Sequence, residues 1–229
     1  MVQKSPEAVA APEAKRRGRP RAYDPDAALA RAMETFWKSG YAATTLDDLS
    51  AATGMNRPSL YAAFGDKQDI YIKAYRRYRV QMRDEFRPIL EAEAPVRRVL
   101  ERLFEACRAI YLSGPDGPRG CLSVVTASSE AIADPEIRRL VVEAIAALDQ
   151  GFAALFAKAI ARGELGSTST PAALAKLTTA TIHTLAIRAR SGVASGDLQE
   201  LIDAAVALIC GPEGAPTRRA PRARPAGKA

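Results

Sequence analysis

The chain has 229 residues, 48% hydrophobic and 26% charged, with a net charge of +7, which is material for one or two compact units with a real core. No run approaches the roughly 18 uninterrupted apolar residues of a membrane span, and no apolar run follows a basic start as in a signal peptide, so neither a membrane partner nor export is expected. Cys107, Cys121 and Cys210 are odd in number and have no paired spacing, which argues against a disulfide framework and for a cytoplasmic location.

The first 21 residues hold six basic and two acidic side chains, and residues 211–229 hold five and one. The remainder, with 22 basic and 23 acidic residues, is close to neutral. Both ends are rich in Ala, Pro and charge and lack apolar periodicity, so 1–21 and 211–229 are predicted to be disordered basic extensions. The first contains KRRGRPR. Its Arg17-Gly18-Arg19-Pro20 resembles an AT-hook core, a slim extended strand whose arginines suit the narrow, negative minor groove of A·T-rich DNA. The C-terminal extension is expected to serve solubility or weak non-specific attraction.

Residues 25–38 place Leu29, Met33, Phe36 and Trp37 on one helical face. Residues 44–67 then read TTLDDLSAATGMNRPSLYAAFGDK. Thr44 or Thr45 can cap a helix, with Asp47 or Asp48 three residues on to close a capping box. Leu46, Leu49 and Ala52 recur at a three-residue step, and Gly54 breaks the pattern as a left-handed C-terminal residue would. Asn56 is a good N-cap for a second helix, with Pro58 in its first turn, where a missing N–H costs nothing. Leu60 and Phe64 point inward from that helix. Helix, glycine turn and helix in this order form a DNA-reading helix-turn-helix; an ordinary helical hairpin would share the geometry but has no need of these particular residues.

The segment resembles the DNA-binding domain of the TetR family of transcriptional regulators. The resemblance rests on Thr44-Thr45, Leu46 and Leu49, Thr53-Gly54-Met55-Asn56, Leu60-Tyr61-Ala62-Ala63-Phe64 and Lys67, with a lead-in over residues 22–43 that includes Gly40-Tyr41. It is detailed over roughly residues 22–75. Two positions depart from the family pattern: Ala63 stands where His is usual before the Phe, and Asn56 stands where Ser is usual. By match to the motif, Arg57 and Ser59 are expected to read base edges, with Asn56 beside them. Thr44, Thr45, Tyr61 and Lys67 are expected to hold phosphates, and Arg17 and Arg19 to follow the minor groove. From 22 to 67 the head carries Arg31, Lys38, Arg57 and Lys67 against Asp24, Asp26, Glu34, Asp47, Asp48 and Asp66, so it is slightly acidic. Attraction to DNA must come from a few placed contacts and from the arm.

Downstream, residues 66–87 place Tyr71, Ala74, Tyr75 and Tyr78 on one face and Arg76, Arg77, Arg79 and Arg83 elsewhere; this helix should join the head to the body. Helices are further predicted over 95–112, 119–132, 135–162, 171–190 and 197–210, separated by Pro95, the GPDGP loop, Asp134-Pro135, Gly163–Pro171 and Ser191–Gly196. The 135–162 stripe is Ile137, Leu140 or Val141, Ala144, Leu148, Phe152, Leu155 and Phe156. No β-type alternation is sustained. The expected fold class is all-α: an N-terminal three-helix DNA-binding head with a helix-turn-helix (22–67) and a larger C-terminal helical body (68–210), which the resemblance implies is a ligand-binding and dimerisation body.

The family resemblance implies an effector pocket within that body. Few ionisable residues fall on its inner faces, so the small-molecule effector is expected to be apolar or weakly polar, with Phe104, Cys107, Tyr111, Cys121, Phe152 and Phe156 as lining candidates. The resemblance also implies that the last two helices, with Leu174, Leu177, Thr181 and Leu185, then Leu198, Leu201, Ile202, Ala205, Leu208 and Ile209, dock on a second copy as a four-helix bundle. A two-fold homodimer would present its reading heads about 34 Å apart on a double-stranded DNA operator. Some family members have a similar Gly-Cys start at the position of Cys121, and some respond to oxidants or electrophiles. Near a helix N-terminus, with Arg119 beside it, such a thiol would be activated; a small buried residue is the alternative.

His183 is the only histidine, too few for a metal site of ordinary ligand count and without partners for a triad. No phosphate-binding glycine loop occurs. No catalytic residues, metal ligands or cofactor are expected. The reading is a DNA-binding transcriptional regulator, a repressor released by a small effector. The alternatives are a ligand-independent activator or architectural DNA binder, or a thiol-based sensor acting through Cys121. A helical enzyme would need a convergent set of ionisable groups, and none is found; a protein-interaction scaffold is a further alternative, which failure to bind any DNA in a selection from random duplexes would favour.

Overall fold

A computed structural model describes residues 23–114, 116–165 and 170–211. The predicted basic arm at 1–21, with Arg17 and Arg19, and all but the first residue of the predicted tail at 211–229 lie outside the described residues. Among the described residues the chain is helical throughout, with no strand.

Each head helix begins at a side-chain cap. For α1 (Pro25–Ser39) the cap is Asp24, whose carboxylate accepts from the amides of Asp26 at 2.9 Å and Ala27 at 3.4 Å. For α2 (Leu46–Thr53) it is Thr45, in a complete capping box with Asp48. Gly54 closes α2 at φ 71°, ψ 15°, a left-handed conformation in which a Cβ is strained. For α3 (Arg57–Phe64) the cap is Asn56. Asp66 and Asp69 form a second capping box opening α4 (Lys67–Leu90), which runs past the predicted end at 87 and carries Pro88 in its last turn. Met33, Phe36, Trp37, Leu49, Leu60 and Phe64 are buried together with Ile70 and Tyr71 of α4, so the three short helices close on the start of the fourth.

The body is α5 (Val96–Leu112), a π-helical turn at Ser123–Ala127, a single turn α6 (Ser128–Glu130), then α7 (Pro135–Ala161), α8 (Pro171–Arg190) and α9 (Ser195–Cys210). The α7–α8 pairing is the most extensive, and α5 packs on both α8 and α9. Of the predicted α7 stripe, Ile137, Leu140, Phe152 and Phe156 are buried and Val141, Ala144, Leu148 and Leu155 half-buried. By length and composition α7, of mean hydropathy 1.7 over its most apolar stretch, could cross a membrane; here it lies along α8 as a wall of the body.

The structure corrects the helix predicted over 119–132. Residues 119–121 are non-helical, and the turn that follows is widened. Its hydroxyls compete with the backbone ladder: Thr126 Oγ1 donates to Leu122 O at 2.9 Å and Ser128 Oγ to Val124 O at 2.6 Å. The turn is also held from outside by α4. Tyr71 Oη contacts Thr126 Oγ1 at 2.7 Å, Tyr75 Oη donates to Ser123 Oγ at 3.0 Å, and Tyr78 Oη shares a 3.1 Å hydrogen bond with Cys121 Sγ. Three tyrosines on one face of α4 thus meet three polar groups of the descending segment in antiparallel order.

Candidate nucleic-acid interface

The recognition helix α3 is fastened at both ends. Asn56 Oδ1 accepts from Ser59 N at 2.9 Å at its start, and Lys73 Nζ, reaching back from α4, donates to Phe64 O at 2.6 Å at its end. Leu60 and Phe64 are buried beneath it, while Asn56, Arg57 and Tyr61 are exposed and Ser59 is half-buried. A short amphipathic helix therefore presents its leading polar side chains outward.

Arg57 does not extend freely into solvent. Its Nε donates to Asp47 Oδ1 at 2.9 Å and its terminal nitrogen to Asp47 Oδ2 at 2.6 Å, a forked pair between the first turns of α2 and α3. Hydrogen bonding to that carboxylate pushes the already high Arg57 pKa higher. Thr45 donates to Asp48 Oδ2 through its hydroxyl at 2.7 Å and through its backbone amide at 2.8 Å; these bonds hold the Asp48 carboxyl below its usual range. Thr45 is exposed, whereas Thr44 is 1% exposed and donates its hydroxyl to Gly40 O at 2.6 Å. The Thr44 side chain therefore braces the α1–α2 turn. Lys67 Nζ sits 4.4 Å from the centroid of the Tyr41 ring.

In the body, Phe104, Cys107, Tyr111, Cys121, Phe152 and Phe156 are all buried. Cys107, Tyr111 and Cys121 gather around Tyr78. Burial pushes the Cys107 thiol up to about 12 and raises Tyr78 and Tyr111 well above the ordinary tyrosine value. None of the six lines either of two surface concavities. One, of about 210 Å³, lies between the α4–α5 turn and the end of α7, bounded by residues such as Leu90, Val96, Leu155 and Glu164; the other is a shallow surface along Arg98, Glu101, Arg102 and Glu105 of α5. The Arg119 guanidinium is engaged by other groups: it stacks 3.9 Å from the centroid of Trp37 and pairs with Glu34 at 3.1 Å. His183 is half-buried, and burial lowers its pKa. Among the described residues no group of three or more metal-ligating side chains gathers.

Three features have no signature in the sequence: the Asp47–Arg57 fork, the Lys73 cap and the tyrosine ladder on the π-turn. Each joins residues on different helices. Only the spacing of Tyr71, Tyr75 and Tyr78 hinted at one of them, by showing that all three share a face.

An all-helical chain with an N-terminal helix-turn-helix whose reading helix is exposed, carried by a larger helical body, is a DNA-binding transcriptional regulator by class. Residues 28–74 match the model for bacterial regulatory proteins of the tetR family. The chain is 31% identical over 189 residues to the HTH-type transcriptional repressor ComR of Escherichia coli K12, spanning 82% of this chain and 89% of that one. It is 28% identical over 194 residues to the uncharacterized HTH-type regulator YezE of Bacillus subtilis 168, spanning 84% and 99%. Among solved structures, a cysteine-substituted variant of the TetR family regulator CifR complexed with 26-bp operator DNA superposes with a TM-score of 0.77 at 29% identity, covering 84% of this chain and all of that one. The chain belongs to the TetR family of transcriptional regulators.

Proposed function

We propose that this regulator is a homodimeric repressor that binds a two-fold operator through α3 and leaves it when an effector occupies the body. The observation that carries the reading is the outward set Asn56, Arg57, Ser59 and Tyr61 over buried Leu60 and Phe64. Arg57 and Ser59 read base edges. Thr45, Tyr61 and Lys67 hold phosphates, and the buried Thr44 supports the turn from which Thr45 does so. The arm, through Arg17 and Arg19, follows the adjacent minor groove. The sign of regulation is taken from ComR, which is a repressor. The protein acts in the cytoplasm, in keeping with its three free cysteines.

Much of the apolar stripe expected to make the dimer is consumed within one chain: Leu174, Thr181, Leu185, Leu198, Ile202, Ala205 and Ile209 are buried. The docking face falls on the adjoining set. Leu177, Ala180 and Ile187 of α8 and Ala204 and Leu208 of α9 are exposed at helical spacing, with Leu201 half-buried between them. The effector is apolar or weakly polar, and because Phe104, Cys107, Tyr111, Cys121, Phe152 and Phe156 are all buried and line neither concavity, a site among them has to open as it binds.

Selection of bound sequences from random duplexes tests the reading. The expected product is a palindrome with half-sites one helical turn apart, roughly 10 bp, or slightly more. Enrichment of nothing, or of a single unpaired half-site, defeats it. A second reading has its own support: the Tyr78–Cys121 hydrogen bond ties a thiol directly to the helix that carries the head. Under it, oxidation of Cys121 releases DNA. Cys121→Ser then keeps operator binding and loses the response to peroxide, and an unchanged response rules the reading out.

A further inference from the structure

The forked pair between Asp47 and Arg57 does more than neutralise a surface charge. An arginine guanidinium has five N–H donors in a fixed plane. Asp47 takes the inner edge, using the Nε proton and one proton of a terminal nitrogen, at 2.9 and 2.6 Å. One proton on that nitrogen and two on the other stay available, and these form the end-on edge that can donate in parallel to guanine N7 and O6. The fork therefore sets the plane and direction of the guanidinium while leaving the edge that reads a base unused. Both side chains are open to solvent, 55% for Arg57 and 73% for Asp47, and among the described residues Asp47 alone hydrogen-bonds that guanidinium.

The pair also has no net charge. Without Asp47, Arg57 would be a free cation on a head that is otherwise slightly acidic, available to any phosphate. Aspartate at this point turns a general attraction for the DNA backbone into a directional one for a base edge.

We propose that Asp47 is a positioning residue for sequence recognition: it aims Arg57 at a guanine and suppresses its use as a phosphate contact. The proposal rests on Arg57 reading a base, and the two can fail separately. Asp47 is not needed for the α2 cap, which Thr45 and Asp48 form by themselves, so its substitution should leave the head folded.

The test uses the full-length protein and the duplex selected from a random pool, with every single-base variant of one half-site and an unrelated duplex as probes, at two salt concentrations. The unaltered protein should lose on the order of 5- to 150-fold in affinity when the guanine contacted by Arg57 is replaced. Asp47→Asn should cut that ratio at least several-fold while binding the unrelated duplex more tightly, with a salt slope steeper by up to about 0.9 for each head. Arg57→Ala and the double variant should both lack the ratio and agree with each other. Arg57→Lys, which keeps the charge without the fork, should behave like Arg57→Ala for discrimination. If Arg57→Ala leaves every base preference intact, Arg57 is not the reader. If Arg57→Ala and Arg57→Lys lose the preference but Asp47→Asn retains it in full, with unrelated DNA bound no better, Asp47 does not position it. Should Asp47→Asn lose its helicity, the Arg57→Lys arm decides: a lysine that preserves the guanine preference refutes the forked geometry.

Discussion

The indole Nε1 of Trp37, at the end of α1, donates to Gly120 O, in the loop before the π-turn, at 3.2 Å. This buried bond joins the DNA-reading head to the body across 83 residues of sequence. Arg190, in the last turn of α8, reaches the same junction and donates to Trp37 O at 3.3 Å, Lys38 O at 2.9 Å and Arg119 O at 3.2 Å. The C-terminal carbonyls of α1 are thus held by a side chain from one of the two helices proposed to meet the second copy. The path from the proposed subunit interface to the reading head is one helix and one guanidinium long.

Gly120 sits at φ +66°, and a Cβ there would lie 3.0 Å from Ala186 O and 3.1 Å from Arg190 Cβ. Gly120→Ala should therefore destabilise the protein by about 1–3 kcal/mol, read as a lower urea midpoint. Arg190→Ala, at a more exposed position, should cost about 1 kcal/mol. It should change operator affinity more than it changes the melting temperature. A variant that melts normally and binds operator normally would show that the junction is passive.

Leu60 is fully buried under the recognition helix. Leu60→Ala should lose about 2–5 kcal/mol through lost transfer and a residual cavity. Operator binding should disappear at temperatures where far-ultraviolet circular dichroism still reports a helical body.

Leu208 is 73% exposed on α9, within the face proposed to meet the second copy. Leu208→Glu should yield a folded monomer by sedimentation at concentrations where the unaltered protein is a dimer. Its melting profile in dilute solution should be unchanged, because the side chain makes little contact within its own chain. Persistence of the dimer would move the interface elsewhere.

The pH response has a defined sign. Burial lifts the Cys107 thiol from 9.0 to about 12, so the folded protein holds that proton where an unfolded chain releases it. The contribution to stability is complete below pH 9.0 and is lost progressively as pH rises towards about 12. Tyr71 and Tyr75, also raised by burial, add to the same alkaline loss. Denaturation midpoints measured from pH 8 to 11 should fall with pH, and Cys107→Ala should flatten the fall. Alkylating reagents at pH 8 should leave Cys107 untouched in the folded protein.

The short-range part of this protein was legible from the chain. The caps at Asn56 and at Thr45 with Asp48, the break at Gly54, the inward Leu60 and Phe64 and the tyrosine face of α4 all appear where spacing and residue type put them. So do the limits of α5, α7 and α8 to within a residue. The choice between Thr44 and Thr45 was not legible, because both can cap and only the fold of the Gly40 turn decides which one is buried. The π-turn was missed because its hydroxyl partners come from α4, about 50 residues earlier. The stripe assigned to a partner subunit proved mostly internal, since an apolar face on a helix states that something will cover it and not what.

By itself, the order of residues determined an all-helical chain with a glycine-turned reading helix at its N-terminal end. Helix starts, stops and buried faces are set within one or two turns by capping groups, backbone freedom and apolar period. The tertiary structure alone decided how Arg57 is held, how α8 reaches the head, and which side chains of the last two helices remain uncovered. Those depend on approach between helices remote in the chain, where the energy lies in pairings that leave no periodic trace.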